Sequence, residues 1–143
     1  MNDFINKVDT EPYLKYTRIS GVTSEIFSKD FISTFEILSN ILVLGSHNGY
    51  LYIIDINNNE FLQHHIHSAS ISGLSIDDTG EYIATASIDG CVALYTRSSN
   101  NVTLYNYRRP VKSVAIDPNY SQNFRIVSGG MAEQLIMNEK GIL

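Results

Sequence analysis

A hairpin-like unit occurs twice in the sequence, 41 residues apart, and it constrains the fold more than any other feature. Leu42 to Ile53 reads LVLGSHNGYLYI, and Ile83 to Leu94 reads IATASIDGCVAL. In each, an apolar run ends in a small residue and Ser, then Asn-Gly or Asp-Gly follows, then a second run rich in β-branched and aromatic residues. Asn48-Gly49 and Asp89-Gly90 suit a type I′ turn, whose two central residues need positive φ. The spacing therefore predicts two β-hairpins, each closed by a two-residue turn.

The upstream strand repeats as well. Ile71-Ser-Gly-Leu-Ser-Ile-Asp77 matches Val111-Lys-Ser-Val-Ala-Ile-Asp117 at an offset of 40, and Ile126 to Gly129 repeats Ile83 to Ala86 at 43. The third repeat thus carries a longer loop around residues 118–123. Further strands fill the linkers, Phe61 to Ile66 and Val102 to Tyr107. Four short strands every ~40–45 residues is the period of a WD40-type β-propeller blade. The predicted fold is all-β: an incomplete WD40-type β-propeller of about three four-stranded blades, at roughly 31–66, 67–107 and 108–140. Residues 1–10 form a polar lead-in and residues 11–143 the partial propeller. Tyr13 to Ile19 alternates and reads as a strand. Residues 20–30 read as a loop, and Asp77-Asp-Thr-Gly80 as a tight turn.

The second repeat fits the WD40 pattern best. His67 stands where the pattern has its histidine, Asp89 holds the tight-turn aspartate, and Thr85 or Ser87 offers a hydroxyl on the inner strand. Such a set satisfies buried polar groups and ties hairpins together. The other repeats are degenerate, with Asn48 in place of the turn aspartate in the first and Glu133 in place of the turn glycine in the third. The structural turn and network residues are accordingly His67, Thr85, Ser87, Asp89, Gly90, Asn48 and Gly49.

Catalytic readings find little support. His65 and His67 would share a strand face, but no Cys or carboxylate stands beside them at ligand spacing, so no metal site, cofactor or catalytic residue is expected. Ser128-Gly-Gly130 lacks the Lys-Ser/Thr of a phosphate loop. Cys91, the single cysteine, has no neighbouring base and reads as a strand residue. One cysteine builds no disulfide framework, and a cytoplasmic location is expected. The net charge of −5 argues against nucleic-acid binding. The basic cluster Arg108, Arg109 and Lys112 reads as a solvated strand end. The longest apolar run, Ile41 to Leu44, is far short of the ~20 residues that span a bilayer.

The order of segments resembles one family, the vacuolar protein sorting-associated protein 41 family. The likeness is carried by Glu11-Pro-Tyr-Leu-Lys-Tyr-Thr-Arg-Ile19, Leu44-Gly-Ser-His-Asn-Gly49, Gly80 to Gly90, Arg109-Pro-Val-Lys-Ser-Val-Ala-Ile116 and Val127-Ser-Gly-Gly-Met-Ala132. It covers nearly the whole chain from Glu11 and looks closest to fungal members. The resemblance implies an N-terminal propeller portion of a HOPS tethering subunit, acting at late endosomes and the vacuole. It implies partners among the other HOPS-type subunits, a late-endosomal Rab GTPase and adaptor complex three, with peripheral membrane association only. Family members continue into an α-solenoid and a RING-like domain. A chain ending at Leu143, inside the propeller, is expected to be a fragment or a truncated product. Which surface binds partners does not follow from the sequence. Alone, such a chain is expected to aggregate or bind chaperones through open faces made of Leu51, Ile53, Ile126 and Leu135, and not to restore vacuole fusion. The alternative function is a WD40 scaffold of another pathway.

Overall fold

The computed structural model describes residues 13–130 and 133–141. The polar lead-in, Glu11-Pro12, Met131-Ala132 and Leu143 lie outside the described residues. Three antiparallel sheets follow one another along the chain. Blade 1 holds β1 (Ile32–Leu38), β2 (Ile41–Ser46), β3 (Tyr50–Asp55) and β4 (Glu60–His65) in that spatial order. Blade 2 holds β5 (Ile71–Ile76), β6 (Tyr82–Ser87), β7 (Cys91–Thr96) and β8 (Asn101–Asn106), again in sequence order. Blade 3 holds β9 (Val111–Ile116), β10 (Ile126–Gly130) and β11 (Leu135–Asn138), so it has three strands among the described residues rather than the expected four.

The two central strands of blades 1 and 2 are buried on both faces, which is why they read as continuous apolar runs rather than strict alternation. Odd and even side chains pack into different seams. Val43, Leu51 and Ile53 of blade 1 meet Ile83 and Tyr95 of blade 2. On the other face of blade 2, Ala84, Ala86, Val92 and Leu94 meet Val111, Ile116, Tyr120 and Ile126 of blade 3. The open faces are therefore not built as expected. Leu51 (0% exposed), Ile53 (5%) and Ile126 (3%) lie inside the seams, and of the residues expected there Leu135 alone is open, at 82%.

A polar stitch runs beside these cores and repeats with the blades. Ser33 Oγ on β1 donates to the Ile71 carbonyl on β5, and Ser72 Oγ on β5 donates to the Val111 carbonyl on β9. Close by, the Ile116 N–H donates to Ser75 Oγ at 3.1 Å. At the equivalent place in blade 1, Glu36 accepts the Ile76 N–H; burial raises its carboxyl pKa, and that N–H opposes the shift. Each blade's innermost strand is thus held to the next by side chains that satisfy otherwise free edge groups.

Two segments before blade 1 differ from expectation. Residues 13–20 form no strand, and among the described residues no sheet edge pairs with them; Tyr13 (100%), Leu14 (98%) and Tyr16 (92%) are exposed. The expected loop contains helix α1 (Val22–Lys29). Its Ile26 packs on Leu42, Leu44, Tyr52 and Ile54, and tertiary contact makes an eight-residue helix that its weak apolar periodicity does not announce. A second, one-turn helix, α2 (Tyr120–Asn123), lies in the longer β9–β10 loop and sets Tyr120 against Tyr82.

Candidate functional site

The polar residues singled out in the second repeat converge where the lead-in to blade 2 passes under its central hairpin. The 67–70 lead-in leaves β4, and the 88–90 turn joins β6 to β7. His67 is 3% exposed and sits between them. Its Nδ1 lies 3.0 Å from Asp89 Oδ2 and its Nε2 lies 2.8 Å from Thr85 Oγ1. A neutral ring satisfies both contacts when Nδ1–H donates to the carboxylate and Nε2 accepts from the threonine hydroxyl.

Asp89 is the hub. Its Oδ2 also accepts the Ser68 N–H at 3.0 Å, and its Oδ1 accepts the Cys91 N–H at 2.8 Å. Ser87 completes the tie: its Oγ donates to the Ser70 carbonyl at 2.8 Å and accepts the Asp89 N–H at 3.1 Å. Burial lowers the His67 pKa and outweighs the carboxylate beside it. For Asp89 burial pushes upward, but the Cys91 and Ser68 N–H groups and the imidazole together hold its carboxyl below the ordinary range. The neutral ring and the ionised carboxylate are thus both favoured at neutral pH, which is the pairing the hydrogen bonds require.

The turns themselves correct the expectation of two-residue type I′ loops. Gly49 N–H bonds the Ser46 carbonyl, Gly90 N–H bonds the Ser87 carbonyl, and Gly49 and Gly90 have φ of +87° and +96° while Asn48 and Asp89 do not take positive φ. Each is a three-residue loop: a type I turn followed by a left-handed glycine that forms a bulge. This geometry leaves Asp89 free to point its carboxylate back over the turn.

In blade 1 the equivalent positions do not converge. Leu44 replaces Thr85, and the exposed Asn48 makes no side-chain hydrogen bond among the described residues, its backbone carbonyl accepting from His65 Nε2 at 3.2 Å. His65 stacks on Tyr50 at 4.5 Å, and His64 reaches Tyr95 Oη at 3.0 Å across the seam, so the histidines point to different partners. No group of three or more His, Cys, Asp or Glu side chains among the described residues could hold a metal ion. Burial and the nearby Asp89 carboxylate raise the Cys91 thiol pKa, which keeps it protonated and weakly reactive. Arg108, Arg109 and Lys112 are exposed. The sequence pattern missed Asp30, whose Oδ1 accepts the Phe31 N–H at 2.8 Å while its buried Oδ2 has no partner among the described residues. No helix among the described residues is long and apolar enough to cross a membrane.

Consecutive four-stranded blades stitched by their inner strands, with a His–Thr–Asp tie under a hairpin, define a WD40-type propeller portion. The fold is shared with the crystal structure of the Cps50 (Swd1) β-propeller domain of Myceliophteria thermophila, at a TM-score of 0.63 and 16% identity, over 76% of this chain and 38% of that one. The Vps41 β-propeller family model, described as "Vps42 beta-propeller", matches residues 14–143, and the chain belongs to that family. It is 37% identical to vacuolar protein sorting-associated protein 41 of Schizosaccharomyces pombe over 94% of this chain and 16% of that protein. The figures are 35%, 92% and 13% for the Saccharomyces cerevisiae protein, and 33%, 92% and 14% for the Arabidopsis thaliana homolog. The chain thus spans about a seventh of the length of the curated relatives it matches.

Proposed function

We propose that this chain is a protein-interaction module of a HOPS-type tethering subunit, acting in vesicle transport to the vacuole and fusion with it, through contacts with other complex subunits and a late-endosomal Rab GTPase. The observation that carries this reading is the family match across residues 14–143. The relatives are named for vacuolar protein sorting, and propellers present loops and rims on a rigid ring, which suits partner binding. In the same reading the chain performs no catalysis. His67, Thr85, Ser87 and Asp89 act together as a structural tie, because every polar atom of the set is engaged within the protein and none faces an open cleft.

The test is a segment exchange. Residues 14–143 replace the corresponding segment of a full-length fungal relative in cells lacking that relative. Restored vacuole morphology, with recovery of the other tether subunits on the tagged hybrid, is the expected result. Recovery of a chromatin or ubiquitin-ligase set instead, with vacuoles left fragmented, overturns the reading.

A further inference from the structure

Two linkers join blade to blade, and they carry different chemistry. Linker 66–70 passes under the 88–90 turn, where Asp89 Oδ2 accepts the Ser68 N–H and meets the His67 ring. Linker 107–110 enters blade 3, whose β10–β11 pairing keeps the register of β6–β7. That register aligns Ala132 with Asp89, and the inner strands align Arg108 and Arg109 with Ser68 and Ala69. At the second junction the repeat has thus lost a carboxylate and gained two cations.

Both arginines are exposed, and neither guanidinium group forms an ion pair among the described residues, whose pairs are Lys29–Glu25, His67–Asp89 and Arg125–Glu139. The loop that presents them is fixed. Asn106 Oδ1 accepts the Arg108 N–H at 2.8 Å, the Tyr107 N–H donates to the Gly90 carbonyl at 2.9 Å, and a Cβ on Gly90 would stand 3.2 Å from Arg109 N. Arg108 is held at φ +58°, a left-handed conformation that is unfavourable for a bulky side chain and that Ser68 does not adopt. Ile88, 50% exposed, shares the turn with Gly90 and adds an apolar surface beside the pair.

Charge elsewhere on blades 1 and 2 favours one kind of ligand. Both linkers and the 47–49 and 88–90 turns lie on one side of the array. Those four segments hold one carboxylate, Asp89, and both its oxygens are engaged. Asp55, Glu60, Asp78, Glu81 and Asp117 lie at the opposite ends of the strands. A chain of net charge −5 repels an anionic bilayer or a nucleic acid, and two arginines do not offset that over a wide contact. A short carboxylate-bearing segment meets the guanidinium pair without meeting the acids on the far side.

We infer that the junction of blades 2 and 3 is a docking point for an extended acidic segment of a partner protein: two carboxylates pair with Arg108 and Arg109, and an apolar side chain next to them rests on Ile88. Charge-assisted bonds from the planar guanidinium groups give the contact its specificity. The fixed loop lowers the cost of ordering it. The inference rests on the interaction-module reading and gives it a surface, but it does not depend on which complex the partner belongs to.

The experiment titrates the 143-residue chain into a rhodamine-labelled peptide, Gly-Asp-Glu-Leu-Asp-Glu-Gly, and reads fluorescence anisotropy. A second peptide carries Asn and Gln in place of the acids, and vesicles of phosphatidylcholine with phosphatidylserine form a third arm. The expected result is saturable binding of the acidic peptide alone, weakening as salt rises. Arg108→Glu with Arg109→Glu weakens it about ten-fold or more, and Arg109→Glu alone, which leaves the Arg108 conformation in place, shows part of that loss. Ile88→Ser weakens it several-fold. Lys15→Glu with Arg18→Glu makes the same charge change at exposed residues outside every sheet and alters it by less than about two-fold. Circular dichroism of each variant matches the unmodified chain. Equal loss in the two double variants overturns the proposal, as does binding that Ile88→Ser leaves unchanged. So do equal binding of the amide peptide, no binding by the unmodified chain, or binding of vesicles instead of peptide. A segment exchange that restores vacuoles while the peptide stays unbound refutes the docking point alone, and peptide binding beside a failed exchange refutes the tether reading alone.

Discussion

Blades 1 and 2 share a strand order and a hairpin geometry, yet they are held in different ways. In blade 2 the turn is fixed from above by a carboxylate that collects the Ser68 and Cys91 N–H groups and the His67 ring. In blade 1 the turn carries an exposed Asn48, and Gly49 packs on the linker that follows, as Gly90 does in blade 2, where its carbonyl accepts the Tyr107 N–H at 2.9 Å. The Gly49 carbonyl accepts both the Ile66 and His67 N–H groups at 3.1 Å, and a Cβ on Gly49 would stand 2.1 Å from the His67 carbonyl oxygen. Both turn glycines hold the linker that follows, Gly49 at closer quarters than Gly90, and blade 2 alone adds the side-chain tie. A repeat can therefore lose its signature polar residues and keep its shape on the backbone contacts that both blades share.

That comparison can be broken at its strongest point first. Gly49→Ala forces a Cβ onto a backbone carbonyl at positive φ and should lower stability by about 3 kcal/mol. Gly90→Ala, whose Cβ would stand 3.2 Å from its nearest neighbour, should cost about 1 kcal/mol. Urea unfolding midpoints of the two variants check the order, and equal losses would erase the distinction between the blades.

Next in size is the carboxylate. Asp89→Ala leaves two N–H groups and the imidazole without their acceptor and should cost ~1–3 kcal/mol. Asn48→Ala, at the equivalent exposed position, should stay within about 0.5 kcal/mol. Denaturant titration of both variants measures the difference. Thr85→Val removes the hydroxyl that serves His67 Nε2 and should cost about 1 kcal/mol. The reciprocal Leu44→Thr in blade 1 brings a hydroxyl with no histidine to meet it and should also destabilise.

The smallest effect is the dependence on pH. The folded-state pKa of His67 is depressed, so its stabilising share is fully present above about 6.5, the ordinary imidazole value, and is lost as pH falls from there toward the lower folded value. Asp89, also depressed, acts in the same direction at lower pH, losing its share as pH falls through its folded value. Stability should therefore decline between neutral pH and pH 5, and His67→Gln should flatten that decline. An unchanged slope in the variant would remove His67 from the tie.

The hairpin repeat, the inner strands and the positions of His67, Thr85, Ser87 and Asp89 were legible because local periodicity and turn residues report them directly. The family was legible from contiguous strings, and the matched relatives agree with it across fungi and plants at nearly even identity. The turn type was not legible. Asn-Gly and Asp-Gly serve both a two-residue I′ loop and a three-residue bulged loop, and the hydrogen-bond register of the flanking strands chooses between them.

The amino-acid sequence by itself determined where the central hairpins of blades 1 and 2 lie, because apolar runs and turn chemistry are properties of neighbouring residues. Tertiary structure decided the rest. Leu51 and Ile53 became seam rather than open face, because which side of a strand meets a neighbour depends on where that neighbour sits. Tyr13 to Ile19 joins no strand among the described residues although it reads as one, and Val22 to Lys29 became a helix although it does not read as one. A strand exists only beside a partner edge, and a short helix only on a surface that buries it, and no local stretch of sequence contains its own partner.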